Sequence, residues 1–183
     1  MRFSPLPKRW TAIPALFALL AASPAVQAHE WDLQGKIGVG IPFGDLGDAY
    51  DPGVAFGLGL TRWLSPRVGF HLGAAGEVLG GANTAIPDLT LWHYNAGAEF
   101  DLLNPETSKF RLHLQAGLGA TTSQSDGGGD STDFTVNTGL SLEYVVNESW
   151  RILGGPDLYF IMADETQTVL PLCVGFRYIF SEP

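Results

Sequence analysis

The alternation of side chains near the end of the chain is the feature that most constrains the fold. In "LPLCVGFRYIF" (170–180) every second residue is apolar or aromatic, and the residues between them include Cys173, Gly175 and Arg177. Successive side chains of a β-strand point to opposite faces of a sheet. A period of two over eleven residues therefore predicts a strand with one apolar face and one mixed face.

The same pattern recurs along the chain. Seven more segments alternate in this way: "WDLQGKIGVGI" (31–41), "VAFGLGLTR" (54–62), "RVGFHLGAAGEV" (67–78), "LTLWHYNAGAEFDL" (89–102), "KFRLHLQAGLGA" (109–120), "FTVNTGLSLEY" (134–144) and "RILGGPDLYFI" (151–161). The connections alternate between the short "WLSP", "LNPETS" and "VVNES" and longer stretches at 42–53, 79–88, 121–133 and 162–167. Eight strands with tight turns at one end predict an up-and-down antiparallel meander, and closing it into a barrel removes the exposed sheet edges.

The composition of the two faces decides which one lies inside. The apolar face carries fourteen aromatic residues: Trp31, Phe56, Phe70, Trp92, Tyr94, Phe100, Phe110, Phe134, Tyr144, Trp150, Phe160, Phe176, Tyr178 and Phe180. The interior of an eight-stranded barrel is only just wide enough for side chains, so these rings cannot all fit there. A soluble lipocalin-like barrel, with its apolar face inside, is therefore disfavoured.

The mixed face suits a narrow interior. It is rich in glycine, which leaves room for charged side chains inside a narrow tube. The only base on the apolar face is Arg62, next to a turn, and a Lys or Arg facing lipid costs about 2 to 4 kcal/mol at the membrane midplane but little near the interface. The sequence therefore predicts an all-β fold: an eight-stranded up-and-down antiparallel transmembrane β-barrel.

The first 28 residues predict export. They combine the bases Arg2, Lys8 and Arg9 with the apolar run "TAIPALFALLAA" and the small residues of "VQA" before Ala28, which is the layout of a cleaved signal peptide. The predicted barrel domain is then 29–183. It holds seven bases and nineteen acids, a formal charge of −12, which makes nucleic acid an improbable partner.

At this point the chain resembles the small eight-stranded outer-membrane β-barrel proteins of Gram-negative bacteria, a group that includes the membrane domain of outer-membrane protein A. The resemblance covers 31–180 and implies an integral outer-membrane location, among lipid and lipopolysaccharide. In that family the barrel-assembly machinery reads a terminal strand that ends in an aromatic residue. The resemblance therefore implies an assembly signal at Phe176, Tyr178 and Phe180.

The inward face predicts a network of paired charges, because buried charges persist only when they are compensated and hydrogen-bonded. Folding about the short turns places Glu143 near Arg151, and Glu99 and Asp101 near Arg111 and His113. Closure of the last strand on the first places Arg177 near Asp32. The predicted lumen network is Asp32, Lys36, Glu99, Asp101, Arg111, Glu143, Arg151 and Arg177, and it would plug the lumen.

The predicted long loops are acidic. They hold Asp45, Asp48, Asp51, Asp126, Asp130 and Asp133 among other acids, without Lys or Arg. One interpretation is a hydrated surface that resists association. The other is that divalent cations bridge these carboxylates to phosphates of lipopolysaccharide.

Three functional classes remain open. The favoured one is a structural or surface-binding barrel with a plugged lumen, whose loop ligand the sequence does not name. The alternative is a narrow channel for ions or small solutes, and the third is a membrane-embedded lipid-modifying enzyme. Because His71, His93 and His113 fall at different heights and none adjoins a lipid-side serine, we predict no metal site, no cofactor and no enzyme.

Overall fold

A computed structural model describes residues 31–103, 108–125 and 129–180, so the predicted signal peptide (1–28) lies outside the described residues. The elements are β1 (Trp31–Phe43), the short helix α1 (Asp45–Ala49), β2 (Tyr50–Ser65), β3 (Val68–Gly81), β4 (Leu89–Asp101), β5 (Phe110–Ser125), β6 (Ser131–Val145), β7 (Trp150–Met162) and β8 (Thr166–Phe180). In the described part of the chain, no helix has the length and apolarity to cross a membrane.

The eight strands form one closed barrel, as predicted. Each strand pairs antiparallel with the next, and β8 returns to pair with β1. The closing register runs from Trp31 opposite Phe180 to Phe43 opposite Thr168. This closure leaves no strand edge unpaired, which removes the main route by which sheets aggregate. We call the end where β1 begins and β8 ends the near end, and the opposite end the far end.

The two faces of the wall are distributed as the alternation predicted. Phe176 is 60% exposed on the outside, whereas its neighbour Arg177 is 1% exposed inside. Two aromatic residues that the sequence analysis did not place, Trp63 and Tyr159, face the lumen and are buried. Trp63 was expected in the turn "WLSP", but β2 continues through Ser65 and keeps Trp63 in the inward series.

The contrast between long and short connections is weaker than predicted. The far-end connections are 44–49, 82–88, 126–130 and 163–165, and the near-end connections are 66–67, 102–109 and 146–149. The strands continue into the predicted far-end loops, because cross-strand pairing persists there, as between Ser123 and Ser131. Connection 102–109 is the longest, although it contains the predicted tight turn "LNPETS".

The interior has two zones rather than one charged zone. At the far end, inward Leu79, Leu91, Ile161 and Val169 pack with Leu89 and with Leu46 of α1 in a buried cluster, which we call the apolar cap. The sequence analysis named only charged residues for the lumen and did not identify this cap. It arises because the inward series on β3, β4, β7 and β8 becomes aliphatic toward the far end, where α1 adds a further leucine.

The inward glycines serve two different purposes. A Cβ at Gly40 would stand 2.7 Å from a carboxylate oxygen of Glu77, so this glycine makes room for a lumen side chain, as predicted. A Cβ at Gly97, in contrast, would overlap the backbone carbonyl oxygen of Ala116 on the neighbouring strand. At such positions glycine permits close approach of two strands, a role that the sequence analysis missed.

We expect Gly97→Ala to lower the free energy of unfolding by about 1 to 3 kcal/mol, because the backbone of β5 must move to admit the methyl group. Gly57→Ala is the matched control, since its Cβ would meet Ala75 at an ordinary 3.4 Å. The control should be neutral or stabilising by up to about 1 kcal/mol. Urea unfolding in micelles measures both variants, and equal effects would contradict the distinction between the two kinds of glycine.

Candidate functional site

A single arginine occupies the centre of the near-end lumen. Arg177 on β8 reaches Asp32 on β1 with Nη1 at 3.2 Å and Glu99 on β4 with Nη2 at 2.5 Å. Its Nε lies 2.8 Å from Glu143 on β6, and its Nη2 also donates to Gln34 Oε1 at 3.2 Å. One buried guanidinium thus compensates three carboxylates, of which the sequence analysis had assigned only Asp32.

His113 joins the same group of carboxylates from β5. Its Nδ1 lies 3.1 Å from Glu99 Oε1, and its Nε2 lies 3.2 Å from Glu143 Oε2. Arg151 approaches Glu143 Oε2 from β7 with Nη1 at 3.4 Å, as predicted. We call Asp32, Glu99, His113, Glu143, Arg151 and Arg177 the Arg177 network.

Uncharged donors complete this network. Trp63 Nε1 donates to Asp32 Oδ2 at 2.7 Å, and Thr61 Oγ1 donates to Glu99 Oε2 at 2.9 Å. Trp63 shares Asp32 Oδ2 with Arg177, whereas Thr61 satisfies the oxygen of Glu99 that the arginine does not contact. Together these contacts link strands on several sides of the barrel.

Two further ion pairs lie on either side of the Arg177 network. Arg111 Nη1 stands 3.7 Å from Asp101 Oδ2 near the near-end opening, as the sequence predicted. Deeper in the lumen, Lys36 Nζ donates to Asp157 Oδ2 at 2.5 Å, a pairing that the sequence analysis did not assign. All eight residues of the predicted network therefore take part in ion pairs.

Two bases that have the same parity as the inward residues lie outside the lumen. Arg67 is exposed in the turn 66–67, and Lys109 is exposed just before β5 begins. Both follow the inward parity of their neighbours in sequence. Both residues lie just before a strand begins, at the near-end rim, where the backbone carbonyl still accepts a hydrogen bond from the neighbouring strand but the side chain is exposed.

A second polar group lies under the apolar cap. His93 Nε2 stands 3.2 Å from Glu77 Oε1. His93 Nδ1 is 2.7 Å from Thr121 Oγ1, and the ring stacks on Tyr159 with centroids 4.1 Å apart. Tyr159 was missed because only the outward rings of β7 were counted.

The lumen contains a set of side chains that resembles a metal site. One ligand atom from each of Glu99, His113 and Glu143 lies within 4.8 Å of the others. The guanidinium of Arg177 already contacts both glutamates, so a cation is in place without a metal. The sequence analysis compared only the histidines and missed this cluster, in which the two carboxylates lie on β4 and β6, the neighbours of β5 on either side.

Two hydroxyl, imidazole and carboxylate combinations also form inside the barrel. Thr61 Oγ1 is 3.0 Å from His71 Nδ1. Thr121 Oγ1 is 2.7 Å from His93 Nδ1, and the other ring nitrogen of His93 is 3.2 Å from Glu77 Oε1. A search of the sequence for serine alone could not find them. Both threonines are completely buried, and their hydroxyls hydrogen-bond inside the lumen.

Little free space separates the two polar groups. A cavity of about 20 Å³ lies between them, lined by Lys36, Glu77, Gln115 and Asp157 among others. A space of this size holds about one water molecule. The Arg177 network lies on the near side of this cavity, and the apolar cap lies on its far side.

The predicted loop acids are dispersed. Asp45 and Asp48 lie on α1, Asp130 is exposed in a loop, and Asp126 lies outside the described residues. Asp51 and Asp133 are strand residues rather than loop residues, because β2 and β6 begin earlier than predicted.

The terminal aromatics face outward on β8. Tyr178 packs against Trp150 at 4.9 Å and against Phe180 at 4.8 Å between ring centroids. Phe176 and Phe180 are exposed on the same face. This arrangement forms part of an aromatic belt at the near end, and the role of the three residues in assembly stays a prediction.

Comparison with solved structures identifies the architecture. The crystal structure of Neisserial surface protein A matches with a TM-score of 0.68 and 17% identity, over 84% of this chain and 98% of that chain. The chain has the fold of the small eight-stranded outer-membrane barrels. No protein-family model matches the sequence, and no curated protein does.

Two further outer-membrane proteins share this barrel fold. OprG from Pseudomonas aeruginosa matches with a TM-score of 0.63 and 15% identity, over 85% of this chain and 98% of that chain. The attachment invasion locus protein Ail of Yersinia pestis matches with a TM-score of 0.55 and 15% identity, over 84% of this chain and 100% of that chain. At these identities the likeness shows the fold of the barrel alone.

We expect Arg177→Met to lower the free energy of unfolding by about 3 to 5 kcal/mol, because three buried carboxylates lose their shared cation. Arg111→Met is the matched control. Its side chain is 24% exposed and has one contact at 3.7 Å, so we expect about 0 to 1 kcal/mol. Urea midpoints in micelles measure both variants. Similar losses would show that Arg177 is not the centre of the network.

Proposed function

We propose that this protein is an integral outer-membrane barrel with a closed lumen, and that it acts as a structural or surface-binding protein rather than as a channel or an enzyme. The observation that carries the proposal is the double closure of the lumen, by the Arg177 network and by the apolar cap. The outer-membrane identity of the structural neighbours supports the location.

The near-end closure opposes ion flow by electrostatics. A permeating ion must separate groups that compensate one another at 2.5 to 3.4 Å. Breaking a buried pair leaves an uncompensated charge, which costs about 3 to 5 kcal/mol. The far-end closure opposes flow by a different principle, since an aliphatic constriction excludes water and so removes the solvent that an ion needs.

Single-channel recording in planar bilayers tests the closed lumen. We expect no unitary conductance from the purified protein, because an ion would have to cross both closures. The folded state of the inserted protein is verified by its heat-modifiable band on an unboiled gel. Regular conductance steps would contradict the proposal and favour the narrow channel.

The pair Glu143 and Arg151 separates a plug from a wet channel. We expect Glu143→Gln and Arg151→Met each to lower the urea midpoint, with the glutamate change larger because Glu143 also contacts His113 and Arg177. The double variant should recover part of the loss without conducting, since both partners are removed. Small additive stability effects together with altered ion selectivity would support a channel, because water would screen the pair to about 0 to 1 kcal/mol.

The proposed orientation places the near end in the periplasm and the far end outside the cell. Because the number of strands is even, the first strand begins and the last strand ends on the same side of the membrane. In bacterial barrels that side is the periplasm. The far end would then present the exposed acids Asp45, Asp48 and Asp130 to lipopolysaccharide, with divalent cations as bridges to its phosphates.

The barrel-assembly machinery would read the strand that ends at Phe180.

We expect Gly129→Cys, in a background with Cys173→Ala, to react with a membrane-impermeant thiol reagent on whole cells. No atom of the described residues lies within 4 Å of the position that a Cβ would occupy at Gly129, so they leave room for the substitution. Glu148→Cys in the same background is the control, because Glu148 is exposed in the near-end turn 146–149. It should react only after the outer membrane is permeabilised. If Glu148→Cys reacts on whole cells and Gly129→Cys reacts only after permeabilisation, the barrel has the opposite orientation.

A further inference from the structure

The outward wall of the barrel carries a single basic side chain among the described strands. Arg62 is exposed on β2 close to the near end, and its guanidinium carbon lies 5.4 Å from the centre of the Trp31 ring. The register sets Arg62 opposite Trp31 on one side and Phe70 on the other. Aromatic belts mark the boundary between hydrocarbon and headgroups, so this guanidinium lies at headgroup depth.

The exposed bases of the barrel are concentrated at one end. Within the described ranges, the exposed bases Arg62, Arg67 and Lys109 all lie toward the near end. No described carboxylate comes within ion-pair distance of Arg62 or Arg67. Among the described residues of this end, the exposed acid Glu148 lies between β6 and β7, on the opposite side of the barrel from β2.

An apolar groove lies on the same side of the wall, deeper in the membrane. It has a volume of about 610 Å³ and forms where Gly35 on β1 has no side chain, between Leu58 on β2 and Val174 and Phe176 on β8. Leu58 is four residues from Arg62, which is about 13 Å along a strand and about 10 Å of depth at the usual tilt. The groove therefore begins below the guanidinium, at the depth of acyl chains.

We infer that Arg62 and this groove form a binding site for one anionic glycerophospholipid of the leaflet at the near end. Arg62 binds the phosphate, since a guanidinium presents paired donors that match phosphate oxygens. Arg67, in the next turn, favours a headgroup with a net negative charge. One acyl chain lies along Leu60 and Leu33 into the groove at Gly35. The site uses the outside of the wall and is separate from the lumen.

Native mass spectrometry of the barrel in detergent tests this site. The probes are phosphatidylglycerol and phosphatidylcholine with identical acyl chains. We expect one phosphatidylglycerol to bind in preference to phosphatidylcholine, and Arg62→Gln to weaken its binding about five- to tenfold through loss of charge-assisted hydrogen bonds. Lys109→Gln is the matched control, because it removes an exposed near-end base on another side of the barrel, and it should change nothing.

The groove is tested separately by filling it. Gly35→Leu is sterically possible, since a Cβ there meets Leu58 at 3.7 Å, and we expect it to weaken phosphatidylglycerol binding about two- to threefold by displacing acyl-chain contacts. Ala116→Leu adds similar volume to the outward face of β5 and serves as the control. The heat-modifiable band shows that each variant is folded.

Two outcomes would overturn the inference. If Arg62→Gln and Lys109→Gln behave alike, the guanidinium does not select the lipid. If Gly35→Leu converts a dimer to a monomer and leaves lipid binding unchanged, a second copy of the chain occupies the groove. The assignment of the lipid to one leaflet rests on the proposed orientation. Lipid binding in detergent depends on neither orientation nor conductance, so the lipid site and the proposed function can fail independently.

Discussion

Compensation of buried charge by Arg177 is the interaction on which the rest of the lumen depends. Asp32, Glu99 and Glu143 are fully or almost fully buried and come from three different strands. Each would be strongly destabilising without a cation, because desolvation of an isolated carboxylate costs several kcal/mol even after relaxation. Since one guanidinium contacts all three, the positions of β1, β4, β6 and β8 are coupled through a single side chain.

The network also shows how a narrow barrel accommodates charge. Six buried carboxylates face the lumen in the described part of the chain: Asp32, Glu77, Glu99, Asp101, Glu143 and Asp157. Side chains of this size fit because glycine leaves space beside them, as at Gly40 against Glu77. Glycines such as Gly97 have the further task of letting neighbouring strands approach closely. Glycine therefore has two roles in this barrel: it leaves space for side chains in the lumen, and it lets adjacent strands of the wall approach closely.

The Arg177 network and the apolar cap have different physical origins. Compensating charges hold the network together, whereas packed aliphatic side chains hold the cap together. Eight-stranded barrels of the same shape carry several functions, so the fold alone does not select one. Among the described residues, the surface of the barrel carries exposed acids at the far end, the exposed bases Arg62, Arg67 and Lys109 toward the near end, and an apolar groove on the same side as Arg62.

The sequence by itself determined the number of strands, the closed up-and-down topology and the choice of outward face. The reason is that a period of two and the volume of fourteen aromatic rings are local or additive properties, which need no coordinates. It also predicted pairs across neighbouring strands, such as Glu143 with Arg151, because a short turn fixes their register. Predictions that relied on loop length were weaker, since strand pairing extended into segments rich in turn residues.

Only the tertiary structure decided which charges meet across the lumen. Arg177 is 78 residues from Glu99 in sequence, and Lys36 is 121 residues from Asp157, so no neighbouring register relates them. Such contacts depend on the radius of the closed barrel and on the stagger of its strands, which place residues of opposite walls at one height. The apolar cap has the same cause, because Leu46 reaches the strand leucines only once closure and α1 bring them to one end.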